Sequence, residues 1–217
     1  MPPGAPHIPS LTNGANEPIR PQTVTCRRSG SLDARWHTAA VIIRPARKFD
    51  ATAIAAIYAP YVTGTVITFE TEPPDAAEFA RRMSAAPLLP WLVAEIDEVV
   101  TGYAYCAPHG ARAGYRWSLD CGIYLAPDVR RQGVGRALYT RLFDEVRALG
   151  YVAVHAGIAL PNAASVGLHE SFGFEPVGVY SQVGYKRGEW HDVGWWQLRL
   201  APAAAEPAEP RGWQAGS

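Results

Sequence analysis

The chain has 217 residues and carries 20 basic and 20 acidic side chains, a formal charge of zero. That length suits one domain with a sizeable core, and the balance removes any global electrostatic case for nucleic acid or an anionic membrane as partner. Three irregularly spaced cysteines, Cys26, Cys106 and Cys121, exclude a disulfide framework or zinc site and point to reduced thiols in a cytoplasm.

Residues 1–40 are interrupted by Pro2, Pro3, Pro6, Pro9, Pro18 and Pro21 and carry no hydrophobic period, so they read as a disordered extension. They hold no apolar signal-peptide core, and no run in the chain approaches the roughly 20 apolar residues needed to span a bilayer. Val41-Ile42-Ile43-Arg44 opens the domain as a strand. Asp50 is placed to cap a helix bearing Ile54, Ile57, Tyr58 and Tyr61, and Asp75 to cap a second running to about Ala86. Trp91–Ile96 and Val99–Cys106 predict a hairpin turning at Asp97-Glu98. From Tyr115 to Leu125 the residues alternate. Trp117, Leu119, Cys121, Ile123 and Leu125 share one face; Ser118, Asp120, Gly122 and Tyr124 share the other.

A helix over about Gly133–Leu149 follows, with Val134, Leu138, Leu142 and Val146 four apart, and Gly150 ends it. Tyr151–Ile158 predicts a strand, Asn162 starts a short helix to about Ser171, and Phe174–Val183 with Val193–Leu200 predicts a closing antiparallel pair. Ala201–Ser217 is Ala/Pro-rich and reads as a disordered tail. The order implies a mixed α/β (α+β) domain over about 41–200, its sheet mostly antiparallel, without the regular alternation of a doubly wound nucleotide-binding fold.

Arg130-Arg131-Gln132-Gly133-Val134-Gly135 joins that alternating strand to the long helix. Little side-chain bulk there leaves backbone N–H groups exposed at a helix N-terminus, where a phosphate can sit. No Gly-Lys-Ser/Thr follows, so this is not a nucleotide P-loop, and the spacing is not that of a dinucleotide fingerprint. A plain glycine turn into a surface helix has the same local pattern.

Arg130-x-x-Gly133-x-Gly135-x-Ala137-Leu138, together with Asn162 and a short helix ending in Gly173-Phe174, resembles the cofactor segments of the GNAT N-acetyltransferase superfamily. Thr68-Phe69-Glu70-Thr71-Glu72-Pro73, Trp91-Leu92-Val93-Ala94-Glu95, Ala111-Arg112-Ala113-Gly114-Tyr115, Leu160-Pro161-Asn162 and Gly184-Tyr185-Lys186-x-Gly188-x-Trp190-His191-Asp192 are similar to its phosphinothricin / methionine sulfoximine N-acetyltransferase subfamily. Asp120 stands where that subfamily usually has Glu, and Gly114 and Cys121-Gly122 also depart from its commonest pattern.

The resemblance implies the GNAT fold, acetyl-CoA as co-substrate, no metal, a small amino-acid-like acceptor and a homodimer. It implies that backbone groups of Arg130, Arg131, Gln132, Gly133, Val134 and Gly135 take the pyrophosphate. Ile123, Tyr124 and Leu125 would pair with the pantetheine as with an added strand, an N–H near Leu125 facing the thioester oxygen. Asn162 and Ser165 would reach the same arm. Asp120 is the implied base; one methylene shorter than Glu, it leaves room for an ordered water. His169 is the implied donor to, or orienter of, the leaving thiolate. Arg112 would pair with a substrate carboxylate, with Phe69, Glu70, Thr71 and Tyr115 around the acceptor. Another small amine as substrate, or a non-catalytic acetyl-CoA-binding module, are the alternatives; the joint presence of Asp120 and His169 argues against the second.

Overall fold

The structure is a computed structural model that describes residues 22–23 and 40–214. Its strands are β1 (Gln22–Thr23), β2 (Ala40–Pro45), β3 (Trp91–Ile96), β4 (Val99–Pro108), β5 (Ser118–Leu125), β6 (Ala153–Ala159), β7 (Glu175–Lys186) and β8 (Glu189–Arg199). Its helices are α1 (Ala51–Gly64), α2 (Ala76–Met83), α3 (Val134–Ala148) and α4 (Ala163–Glu170). The strands form one sheet in the order β1-β2-β3-β4-β5-β6-β8-β7. Every pairing is antiparallel except β5 with β6. The extension expected over 1–40 lies outside the described residues, apart from β1 and Ala40.

Alternation decides which side each strand residue covers. On one face Leu92, Ala104, Leu119, Val154 and Ile158 meet the apolar stripe of α3, where Leu138, Tyr139, Leu142 and Val146 are fully buried. On the other, Trp91, Val93 and Tyr103 pack against Ile54, Tyr58 and Val62 of α1 and Phe79 of α2. Each such side chain contributes about 1.5–3 kcal/mol by leaving water, so both helical layers are anchored to the sheet independently.

Turn chemistry closes the hairpins. Asp97 and Glu98 both take positive φ, 49° and 63°, as do Arg187 and Gly188 at 57° and 86°; this is the two-residue turn whose twist matches that of the flanking strands. Asp75 caps α2 by accepting from the Glu78 N–H at 2.8 Å. The helix ends at Met83, short of the expected Ala86, with Ser84 as its C-cap.

Three expectations change. Asp50 stands at the start of α1 but makes no side-chain cap; its carboxylate is held by Arg44 at 2.7 and 2.9 Å and by the Arg47 N–H at 2.7 Å. The alternating strand begins at Ser118, because Ala113–Tyr115 coil into a 3-10 turn. Residues 201–214, expected as a disordered tail, lie against the domain: the Arg211 N–H donates to Leu149 O, the Trp213 indole to Glu145, and the Trp117 indole to Ala208 O, while Glu209 pairs with Arg116. Composition marked the segment as a tail, but its Trp and Arg side chains reach partners that composition does not reveal. Among the described residues no helix is long and apolar enough to cross a membrane.

Candidate active site

Strands β5 and β6 pair only over Ser118↔Ala153, Leu119↔Val154 and Asp120↔His155, and then diverge. Parallel strands that separate leave backbone groups without a ladder partner. On β5 the even residues bond to β4, as the His109 N–H to Ser118 O bond shows, while Trp117 O accepts from the Val152 N–H on the β6 side. The Cys121 N–H closes the last β5–β6 pair, so the Cys121 C=O and the N–H and C=O of Ile123 turn into the gap. A cavity of about 150 Å³ occupies it, lined from one face of the sheet by Cys121, Ile123, Tyr139, Ser165 and His169 and from the other by Tyr105, Gly122 and Tyr124. The gap passes through the sheet.

The Arg130–Gly135 turn lies beyond the C-terminal end of β5. Arg131 and Gly133 both adopt positive φ, 63° and 80°, and Gly133 is the N-cap of α3. Left-handed residues alternating with a residue of negative φ can gather their N–H groups into a concave set, and the first N–H groups of α3 have no intrahelical acceptor. Gln132 anchors the turn by donating to Asp128 O at 2.6 Å. The Arg130 guanidinium lies 5.2 Å from the Tyr61 ring centre. Arg136 is bound to Ser171 at 3.0 Å, tying α3 to α4.

Asp120 sits at the apex of the gap, in the last β5–β6 pair. Its Oδ1 accepts from His109 Nδ1 at 2.6 Å. Burial raises its pKa against the lowering effect of that hydrogen bond. The His109 ring stacks on His155 at 4.1 Å. His155 is lowered, first by burial and then by His109; its nitrogens are taken by Leu119 O at 3.3 Å and the Gln197 amide at 3.1 Å. The donor atoms of His109, Asp120 and His155 lie within 4.8 Å of one another, but His155 has no nitrogen to spare for a metal.

On the opposite face His169 is 3% exposed. Its Nδ1 donates to Ser165 O at 2.8 Å, and its Nε2 accepts from the Tyr139 hydroxyl at 3.0 Å. Burial lowers its pKa, with the Ser165 carbonyl opposing. Cys121 lies 3.6 Å from the Tyr139 hydroxyl, and burial raises its thiol to about 12, so it is a protonated, weak nucleophile at neutral pH.

A through-sheet gap beside an anion-receiving helix start is what a long phosphorylated thioester needs. The family profile for the acetyltransferase (GNAT) domain matches residues 43–195. The chain belongs to the GNAT acetyltransferase family. It is 40% identical over 172 residues to a phosphinothricin N-acetyltransferase of Streptomyces viridochromogenes, covering 78% of this chain and 94% of the relative. It is 38% identical over 168 residues to an L-methionine sulfoximine/L-methionine sulfone acetyltransferase of Salmonella typhimurium, covering 76% and 98%. Among solved structures, a GNAT superfamily phosphinothricin acetyltransferase from Sinorhizobium meliloti in complex with AcCoA aligns with a TM-score of 0.75 at 35% identity, over 78% of this chain and 94% of that one. The protein is an acetyl-CoA-dependent N-acetyltransferase, and its gap and turn fit that co-substrate: free β5 edges for an amide-bearing arm, and a left-handed nest for a pyrophosphate.

Within the GNAT site the expected residues divide. Asn162 and Ser165 line the gap, though the Asn162 side-chain oxygen is spent capping α4 through the Ser165 N–H at 3.1 Å. Of Ile123, Tyr124 and Leu125, only Ile123 keeps strand groups turned into the gap. Tyr124 is bound into the β4–β5 ladder, with its ring in a cluster with Tyr58, Tyr61 and Tyr103. The thioester donor was expected near Leu125; the Leu125 N–H itself donates to the Tyr61 hydroxyl at 3.2 Å. Glu70, expected beside the amine, is held by Arg82 at 2.8 Å and Tyr58 at 3.1 Å. Phe69 packs over Gly184, where a Cβ would stand 2.2 Å from its ring, and Thr71 is exposed. Arg112 is exposed on the β4–β5 loop, and Tyr115 meets His109 edge-on at 5.9 Å. His109, His155 and Tyr139 were not singled out from the sequence as site residues. The signal that finds the two histidines is strand register, which alternation within one strand does not contain; Tyr139 is found by the packing of α3 against α4.

Proposed function

We propose that this N-acetyltransferase acts on the α-amine of a small amino acid or analogue of the phosphinothricin, methionine sulfoximine or methionine sulfone kind, by direct transfer. The observation that carries this is the gap between β5 and β6, with a carboxylate at its apex and an arginine on the adjoining loop. Acetyl-CoA, when bound, supplies an electrophilic thioester carbonyl. The nest over Arg130, Arg131, Gln132, Gly133, Val134 and Gly135 holds its pyrophosphate, and the edges of Cys121 and Ile123 hold the arm, with Asn162 and Ser165 opposite. The Ile123 N–H, rather than that of Leu125, is the strand donor placed for the carbonyl oxygen. Asp120 serves removal of the amine proton. His169 orients Tyr139 at the floor of the gap. Arg112 takes the acceptor carboxylate in a fork. The buried Cys121 thiol supports direct transfer over an acyl-enzyme. A cytoplasmic setting with reduced thiols and a homodimer complete the reading.

The test is thiol release from acetyl-CoA across amino-acid analogues. Asp120→Asn lowers kcat by about 10²–10⁴-fold, the usual worth of general-base catalysis. Arg112→Ala raises KM for carboxylate-bearing acceptors by about 10–150-fold, the equivalent of about 1.5–3 kcal/mol for a charged hydrogen-bonded contact. No turnover on any α-amino acid would sink the acceptor class.

A further inference from the structure

His109 lies at the end of β4, diagonally across the strand pair from Asp120, and the 2.6 Å contact between Nδ1 and Oδ1 places one shared proton there. That contact occupies only one side of the imidazole. Nε2 has no hydrogen-bond partner among the described residues, and 30% of the side chain is open to solvent. The ring is fixed from three further directions: His155 stacks beneath it at 4.1 Å, and Tyr115 and Trp195 meet it edge-on, each at 5.9 Å. A carboxylate that holds Nδ1–H leaves Nε2 with its lone pair outward, which is the arrangement that makes an imidazole a base.

We infer that His109 and Asp120 act as one unit in which Nε2 of His109 accepts the amine proton and Asp120 holds the ring in the required tautomer. This rests on the reading that the Asp120 face of the gap receives the amine. It also accounts for a carboxylate one methylene shorter than Glu: the imidazole supplies the missing reach. The transfer forms one N–C bond and breaks one C–S bond, whose electron pair stays on sulfur. Of the two protons an ammonium nitrogen must lose, the first goes to Nε2 and from there to water, and the second ends on sulfur as the thiol. The groups that set the charge of this unit are Asp120 on β5, His155 on β6 and Tyr115 on the β4–β5 loop, with Arg199 of β8 acting on His155.

Two measurements test this. In the free protein labelled with ¹⁵N-histidine, His109 gives a low-field Nδ1–H signal that is absent from His109→Phe and lost in Asp120→Asn; an Nε2–H tautomer overturns the proposal. In thiol release, His109→Phe keeps the stacking surface yet loses about 10²-fold or more of kcat, the range for a general base. The double variant with Asp120→Asn falls little below either single one, because the two act as a unit, and free imidazole partly restores His109→Ala. Losses that multiply in the double variant, or folded His109→Phe and His109→Asn proteins at the wild-type rate, overturn the unit while leaving the acceptor reading intact. A wild type inert on every α-amino acid, with the Nδ1–H signal present, removes the acceptor reading instead.

Discussion

Asp50 shows how a side chain can be placed correctly by its neighbours and still be assigned the wrong partner. A carboxylate before an apolar helical stripe predicts a cap, but Arg44, on the adjacent strand, forms a fork with it, and Asp50 is 3% exposed. Burial alone would raise its pKa; the bonds from Arg44 and Arg47 more than reverse this, and the net direction is down. A depressed folded pKa adds stability that is complete above the ordinary carboxylate value and is lost as pH falls through the folded one. Asp50→Ala, which leaves Arg44 with Glu95 and the Pro45 carbonyl, is expected to cost about 3–5 kcal/mol in urea unfolding at pH 7. The deficit shrinks below about pH 4, where protonation removes the wild-type advantage; a cost under about 1 kcal/mol would show the pair to be incidental. Glu70 carries the same lesson, since Arg82, twelve residues away, pairs with it at 2.8 Å.

Most element starts and stops were legible because they rest on local chemistry: Asp75 and Asn162 cap, Gly150 and Gly173 end helices with φ of 94° and 87°, and Asp97-Glu98 turns a hairpin. What was not legible depends on contacts between elements. Nothing local to residues 201–214 shows that Leu149 O, Glu145, Trp117 and Arg116 wait for them. This segment straps the end of α3 to the turn before β5, the two elements that border the gap. Deleting residues 201–217 is expected to remove about 1–2 kcal/mol, since each net hydrogen bond contributes about 1 kcal/mol less the cost of ordering the strap. That corresponds to a fall of about 2–8 °C in Tm for a domain of this size. A truncated chain that melts with the full one would show the strap to be a passive overlay.

At the scale of the whole molecule, two surfaces of the sheet are covered by helices and one end is not. The β7–β8 hairpin stands at the sheet edge, and Val177, Val179, Tyr180, Val183, Tyr185 and Trp190 are all more than half exposed. An apolar edge strand of this kind invites pairing, which fits the homodimer expected of the chain. Sedimentation at micromolar concentration is expected to give a dimer, and the pair Val177→Glu and Val179→Lys a folded monomer; a wild-type monomer would remove the dimer. The fold class and the glycine turn into α3 could be read in advance because each is a sequence-continuous pattern. The partners of Asp120 could not, because His109, just past β4, and His155 on β6 reach it through a register only the folded sheet sets.

The early parting of β5 from β6 has a consequence for traffic. Most sheets are walls, and a reaction takes place on one side of them. Here the wall has a slit lined from both faces, by Tyr139 and His169 on one and by Tyr105, Gly122 and Tyr124 on the other. On the reading proposed above, donor and acceptor enter from opposite faces of that wall and meet within its thickness.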